Sequence, residues 1–112
     1  MSVDLANKVC IPCMGGIPPM TRDEIAPLLA QVPGWEVEND TKLKRSFSFP
    51  DWVTAQEFVV GAGAIAEEAG HHPDLLLRWG EVRAEIYTHK INGLAEADFI
   101  LAAKLSRLYD EK

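Results

Sequence analysis

Leu43-Lys44-Arg45-Ser46-Phe47-Ser48-Phe49, followed at once by Pro50-Asp51 and the run Trp52 to Gly70, is the passage on which the fold turns. Leu43, Arg45, Phe47 and Phe49 fall on one face of an extended chain, and Lys44, Ser46 and Ser48 on the other. That alternation suits a half-buried antiparallel strand, with Arg45 as the exception on the apolar side. After Asp51, a good helix N-cap, the period changes. Ala55, Phe58, Val59, Ala62, Ala66 and Ala69 keep an apolar stripe at spacings of three and four, which predicts a long helix. Gly61 and Gly63 weaken it by about 1 kcal/mol each relative to Ala, and Gly70 is a natural stop.

Working outward toward the N-terminus, Trp35–Val37 reads as a strand joined to this one through Asn39-Asp40. Before it, Thr21-Arg22-Asp23-Glu24 forms a capping box flanked by Met20 and Ile25 at the hydrophobic-staple positions. Ile25, Leu28 and Leu29 mark one face of the helix that follows, and Val32-Pro33-Gly34 stops it. Toward the C-terminus, Leu75–Trp79 and Val82–Thr88 predict a hairpin turning at Gly80-Glu81. Val82, Ala84, Ile86 and Thr88 share one of its faces. A last helix from about Ala95 buries Leu94, Leu101, Ala102, Leu105, Leu108 and Tyr109. The expected fold is α+β: a four-stranded antiparallel sheet covered by three helices in the order α-β-β-α-β-β-α. Residues 1–20, with Cys10-Ile11-Pro12-Cys13-Met14-Gly15-Gly16-Ile17-Pro18-Pro19, are expected to form an extended N-terminal arm, and residues 21–112 a single domain.

The chain has 112 residues and a formal net charge of −6, with 47% hydrophobic and 25% charged residues. Those values fit one globular domain and argue against wholesale disorder. An acidic chain repels phosphate backbones, so direct nucleic-acid binding is not expected. No stretch approaches the roughly 20 apolar residues of a bilayer span, so no membrane role is expected, and Met1–Lys8 does not read as a secretory signal. Two cysteines do not make a disulfide framework, and a reducing cytoplasm is the expected compartment. Cys10 and Cys13 stand as a lone C-x-x-C, read as packing or accidental spacing rather than a zinc or redox site.

His71, His72 and His89 are the candidate chemistry. The first two occupy the joint between a helix end and a strand start, and His89 follows the hairpin, so an antiparallel pairing brings them to one end of the sheet. None is expected inside a helix or strand. Pro73 holds His72 in extended backbone angles. Imidazole is the side chain suited to proton transfer at neutral pH, although a histidine at a helix end also serves as a plain dipole partner. Metal is not expected, because adjacent residues of an extended segment point apart and would not share one ion. Glu67, one helical turn before His71, either orients an imidazole or is an exposed helix charge. Trp79 reads as a hairpin core residue in preference to a ligand-stacking ring. Asp98 lies in the first turn of the last helix, where an anion is favourable for structural reasons alone.

Glu67-Glu68-Ala69-Gly70-His71-His72-Pro73, then Trp79, His89 and Asp98 at fixed intervals, resembles the signature of the pterin-4a-carbinolamine dehydratases. Phe47-Ser48-Phe49-Pro50-Asp51-Trp52, Thr88-His89, Gly93-Leu94 and Leu101-Ala102 extend the resemblance over nearly the whole chain. It implies dehydration of 4a-hydroxytetrahydropterin to quinonoid dihydropterin in tetrahydrobiopterin recycling, without a metal or redox cofactor. By the same resemblance His71 and His89 are acid and base in an unassigned order, and His72 holds and polarises the pterin. Asp98 is implied to link to His89. The family also implies homodimers or homotetramers. Two alternatives follow from it: a non-enzymatic dimerisation or coactivator-type module, and action on a pterin related to the molybdenum cofactor. Lys90, Asn92 and Ala95 depart from the common pattern; Ala95 stands where a capping Thr is usual, at a cost of about 1 kcal/mol.

Overall fold

A computed structural model describes residues 18–111. The arm expected over residues 1–20, Cys10 and Cys13 included, therefore lies outside the described residues except for its last three. Among the described residues the elements are α1 (Arg22–Leu29), β1 (Glu36–Glu38), β2 (Lys42–Ser48), α2 (Trp52–Ala69), β3 (Asp74–Arg78), β4 (Glu81–Ile86) and α3 (Glu96–Asp110). A single 3-10 turn, His89–Ile91, stands between β4 and α3. The strands form one antiparallel sheet in the order β1-β2-β4-β3, so β1 and β3 are its edges.

Local chemistry sets the element ends. Thr21 and Glu24 make the reciprocal capping box, with the Thr21 N–H donating to Glu24 Oε1 at 2.9 Å. Asp51 accepts from the Thr54 N–H at 2.8 Å at the start of α2, and Gly70 ends that helix in the left-handed region at φ 69°. Asn39 and Asp40 both take positive φ in the β1–β2 turn, which Asn and Asp tolerate better than other residues. The β3–β4 turn is carried by Trp79-Gly80, one residue earlier than the sequence indicated, with Gly80 at φ 73°.

The register puts Leu43, Phe47, Val82, Ala84 and Ile86 on one face, fully buried, with Leu75 and Leu77 half-buried beside them. Helix α2 packs over β3 and β4 and α3 over β2 and β4, both on that face. Phe47 sits against Phe58 (ring centroids 4.7 Å), Tyr109 (5.0 Å) and Trp35 (5.9 Å). Truncating a ring so placed to Ala costs about 3–5 kcal/mol. Arg45 finds its partners on the buried face: its guanidinium lies 4.5 Å from the Phe47 centroid and donates to Ser106 Oγ at 2.9 Å. Trp35 Nε1 donates to the same hydroxyl at 2.9 Å. A Cβ on Gly61 would stand 3.0 Å from Leu108, so this glycine lets α2 and α3 approach, whereas Gly63 faces open space and is merely tolerated. These aromatic contacts gather at the β2 C-terminal end of the sheet. The other end holds the polar chemistry.

Candidate active site

Gly70 turns the chain out of α2 so that His71, its N–H bonded to Ala66 O at 3.2 Å, enters the space between the sheet end and α3. Its Nε2 lies 2.5 Å from Asp98 Oδ1. The His71 side chain is 11% exposed and the Asp98 side chain 0%. The other oxygen of Asp98 accepts from Thr88 Oγ1 and from the Ala95 N–H, both at 2.8 Å. A carboxylate can only accept, so His71 donates its Nε2–H, and in its neutral form the lone pair lies on Nδ1. Asp98 thus fixes one tautomer and one ring orientation, as second carboxylates do for catalytic imidazoles. It also supplies one half of a capping box for α3: Ala95 has no side-chain acceptor to offer the first turn, but its own N–H is satisfied by the Asp98 carboxylate.

His72 points the other way. Its ring is exposed, and its Nε2 lies 2.8 Å from Oε1 of the still more exposed Glu67 on the last turn of α2. Glu67 is an exposed helix charge, and the imidazole within its hydrogen-bond reach is that of His72. Exposed pairs of this kind are worth about 0–1 kcal/mol and act on direction more than on stability. Pro73, half-buried, leads directly into β3.

His89 opens the 3-10 turn rather than lying outside regular structure. Its ring is tilted 42° against Tyr87 with centroids 4.1 Å apart. Tyr87 also carries the Lys42 ammonium 5.2 Å from its centroid. A hydrogen bond from Lys42 to Glu85, at 3.0 Å, pushes the lysine above its ordinary value. Asp98 does not link to His89, contrary to what the resemblance implied. The reason is the alternation along β4: Val82, Ala84, Ile86 and Thr88 face the helices, so Thr88 reaches Asp98 and His89 is turned out to solvent. Continuing the β3–β4 register, in which Asp74 stands opposite Glu85, brings residues 71 and 72 level with 88 and 87. The three histidines therefore share one end of the sheet, with Thr88 and Asp98 between His71 and the His89 turn.

Trp79 is not a core residue. It is 71% exposed at the tip of the β3–β4 hairpin. At about 3.3 Å per residue it lies roughly 20 Å along β3 from His72 in the same chain. Edge position and a tight turn leave nothing for it to pack under.

Behind the His89 turn, Thr88 and Gly93 pair backbone to backbone, with the Thr88 N–H donating to Gly93 O at 2.9 Å. Asn92 takes a left-handed φ of 50° to close the turn. The Met20 N–H donates to Leu94 O at 2.9 Å, and Pro19 lies so close over Gly93 that a Cβ there would meet it at 2.5 Å. Sequence reasoning did not single out Thr88 or the Ala95 amide for the site. The available signal was a hydroxyl at an inward position of an otherwise apolar strand face, seven residues before Ala95, the N-cap of the helix that carries Asp98.

The family profile described as pterin 4 alpha carbinolamine dehydratase matches residues 18–108. The chain belongs to that family. Members take their name from the dehydration of a pterin carbinolamine, a lyase reaction. A relative from Methylococcus capsulatus, named as a candidate pterin-4-alpha-carbinolamine dehydratase, is 50% identical over 108 residues, covering 96% of this chain and 95% of its own. One from Rubrobacter xylanophilus, named likewise, is 48% identical over 105 residues, covering 94% and 98%. Among solved structures, the transcriptional coactivator/pterin dehydratase from Brucella melitensis superposes with a TM-score of 0.77 at 32% identity, over 81% of this chain and 98% of that one. A pterin dehydratase-like protein described as a RuBisCO assembly factor in the alpha-carboxysome, 22% identical with a TM-score of 0.59 over 68% and 89%, shares the fold.

Proposed function

We propose that this family member dehydrates 4a-hydroxytetrahydropterin to quinonoid dihydropterin and water by histidine acid–base catalysis. The observation that carries the reading is the buried His71–Asp98 pair, held by Thr88 and the Ala95 amide at the sheet end that also bears His72 and His89. The C4a–O bond breaks as an acid protonates the departing hydroxyl, while a base removes the proton on N5 and the C4a=N5 bond forms. His71, with its free Nδ1 and fixed Nε2–H, and His89 on its short turn are the two proton-handling groups. The exposed imidazole of His72, steered by Glu67, holds and polarises the pterin. These steps use side chains that give and take protons within the physiological range and need no change of oxidation state. The work belongs to pterin recycling in the cytoplasm, by a homo-oligomer.

The test is the dehydration of freshly generated 4a-hydroxytetrahydropterin followed by ultraviolet absorbance. The wild type should accelerate it above the uncatalysed rate, and His71→Ala, His72→Ala and His89→Ala should each lose about 10²–10⁴ of the acceleration. A wild-type rate equal to the uncatalysed one overturns the proposal.

A further inference from the structure

The cation that breaks the apolar face of β2 opens on a second cavity. This space, of about 460 Å³, lies between the C-terminal half of α3 and the connection from α1 to β1, and Arg45 lines it. Its size is that of a small-molecule pocket, and none of the three histidines borders it. Four polar groups there each have half of an interaction left to make. Arg45 is half-buried, pressed on Phe47 and on Gly34, where a Cβ would stand 3.1 Å from its Cζ. Among the described residues its guanidinium bonds only to a neutral hydroxyl, that of Ser106, and no carboxylate pairs with it. A cation so placed is costly without a counter-charge. Ser106 Oγ accepts from both Arg45 and Trp35, which fills its lone pairs and leaves its own proton to donate. Gln31 Oε1 lines the same space, and among the described residues it is the one buried side-chain nitrogen or oxygen with no hydrogen-bond partner. Asp110 is exposed on α3, and its carboxylate has no cation partner among the described residues. Arg107 and Glu111, also in the lining, pair with each other at 3.9 Å.

We infer that this cavity binds a free α-amino acid with an apolar side chain, its carboxylate on Arg45 and the Ser106 hydroxyl and its ammonium on Gln31 Oε1 and Asp110. Charge excludes simpler ligands. A plain anion takes the donors of Arg45 and Ser106 but leaves Gln31 Oε1 unsatisfied and faces Asp110. A plain cation satisfies Gln31 and Asp110 but faces Arg45. A zwitterion with both groups on one carbon meets all four, and charge-assisted bonds of this kind are the strong ones. The fork of N–H groups left on Arg45 suits a carboxylate in particular. Val32, Pro33 and Ala103 give the cavity an apolar wall of small extent, which fits a short aliphatic side chain. A buried polar atom without a partner calls for such an explanation, because leaving it unpaired costs free energy that a bound donor returns. The site shares no residue with the histidine end of the sheet, so it stands apart from the dehydratase reading.

The experiment uses the full chain, isotope-labelled for nitrogen–proton NMR. The Trp35 indole N–H, bonded to Ser106 Oγ, and the Gln31 side-chain amide report on the cavity, and the exposed Trp52 and Trp79 indoles serve as controls. L-Leucine, L-valine and L-alanine are each titrated to about 20 mM, enough to reveal millimolar Kd values. At least one should shift the Trp35 and Gln31 signals saturably while the control indoles stay in place. Removing the ammonium or the carboxylate of that amino acid, as in isocaproate and leucinamide for leucine, should each weaken binding by about 10–100-fold. Asp110→Asn and Gln31→Leu change groups that hold little within the protein, since Gln31 Nε2 makes only a long bond of 3.5 Å to Pro27 O. Both variants should fold like the wild type, shown by unchanged control signals, and should weaken binding by about tenfold. No shift with any of the three amino acids overturns the proposal and leaves Gln31 Oε1 to water. Shifts that both variants leave unchanged, or isocaproate binding as tightly as leucine, overturn it as well. An inactive dehydratase alters none of these outcomes.

Discussion

Replacing Asp98 by Asn tests the centre of the proposed site with a change of a single atom type. The carboxylate accepts three hydrogen bonds: two at Oδ2, from Thr88 and the Ala95 amide, and one at Oδ1, from His71 at 2.5 Å. An amide keeps the first two if its oxygen takes the place of Oδ2, but then its NH2 faces His71 Nε2. Two donors cannot share that bond, so His71 must move its proton to Nδ1 and accept at Nε2. The lone pair needed for proton transfer is thereby turned from the open side of the ring to the buried side. The same swap on the carboxylate of a serine-protease triad costs about 10⁴ in kcat by the tautomer change. On the proposed mechanism His71 shares the work with His89, so kcat should fall by about 10²–10⁴ with a much smaller change in KM. Stability should fall less sharply. One charge-assisted bond is replaced by a neutral one, a loss of about 1–2 kcal/mol, or about 4–8 °C in Tm for a domain of this size. Stopped-flow absorbance well below Tm gives the rate, and long-range nitrogen–proton NMR of the His71 ring gives the tautomer. A variant in which Nδ1 carries the proton yet kcat stays within about threefold of wild type would refute the reasoning.

Other outcomes follow from particular contacts. Glu67→Gln removes the charge that steers His72 and should raise KM several-fold while Tm moves by no more than about 2 °C, read from steady-state kinetics and a melting curve. Gly93→Ala drives a methyl into Pro19, 2.5 Å away, and should cost about 1–3 kcal/mol with a parallel loss of activity; adding Pro19→Gly should restore most of both in denaturant titration and rate assays. The Thr54 hydroxyl and backbone N–H hold the Asp51 carboxyl below its ordinary 3.8. Its stabilising share is therefore present above that value and lost as pH falls through the lower folded value. Asp51→Asn should consequently lose less stability than wild type on acidification below about pH 4, measured by urea unfolding across pH.

The fold was readable wherever one residue type decided a local question. Alternation through Leu43–Phe49 placed β2 on the correct face, Asp51 and Gly70 bounded α2, and Thr21 with Glu24 opened α1. Strand ends drifted by a residue or so because backbone pairing, not side-chain pattern, ends a strand: Thr88 continues the inward alternation yet forms its β-bridge with Gly93 and not with a neighbouring strand. The histidines could be collected at one sheet end from topology. Their partners could not, because a hydrogen bond across the sequence depends on which way a side chain faces at a strand's last residues. Counting inward positions one step past Ile86 gives Thr88 to Asp98 and leaves His89 outside. Trp79 failed for a related reason, since apolarity predicts burial only where a neighbouring element exists to bury it, and an edge hairpin tip has none.

Asp98 does two jobs with one carboxylate, and they have a dynamic consequence. Because Oδ2 holds the Ala95 amide while Oδ1 holds His71, fraying of the first turn of α3 and release of the imidazole are the same opening event. The Ala95 amide proton becomes a reporter: its exchange with deuterated solvent counts how often the site comes apart. A pterin that binds only the assembled site should slow that exchange in proportion to its occupancy, at an amide on the helix rather than on any histidine.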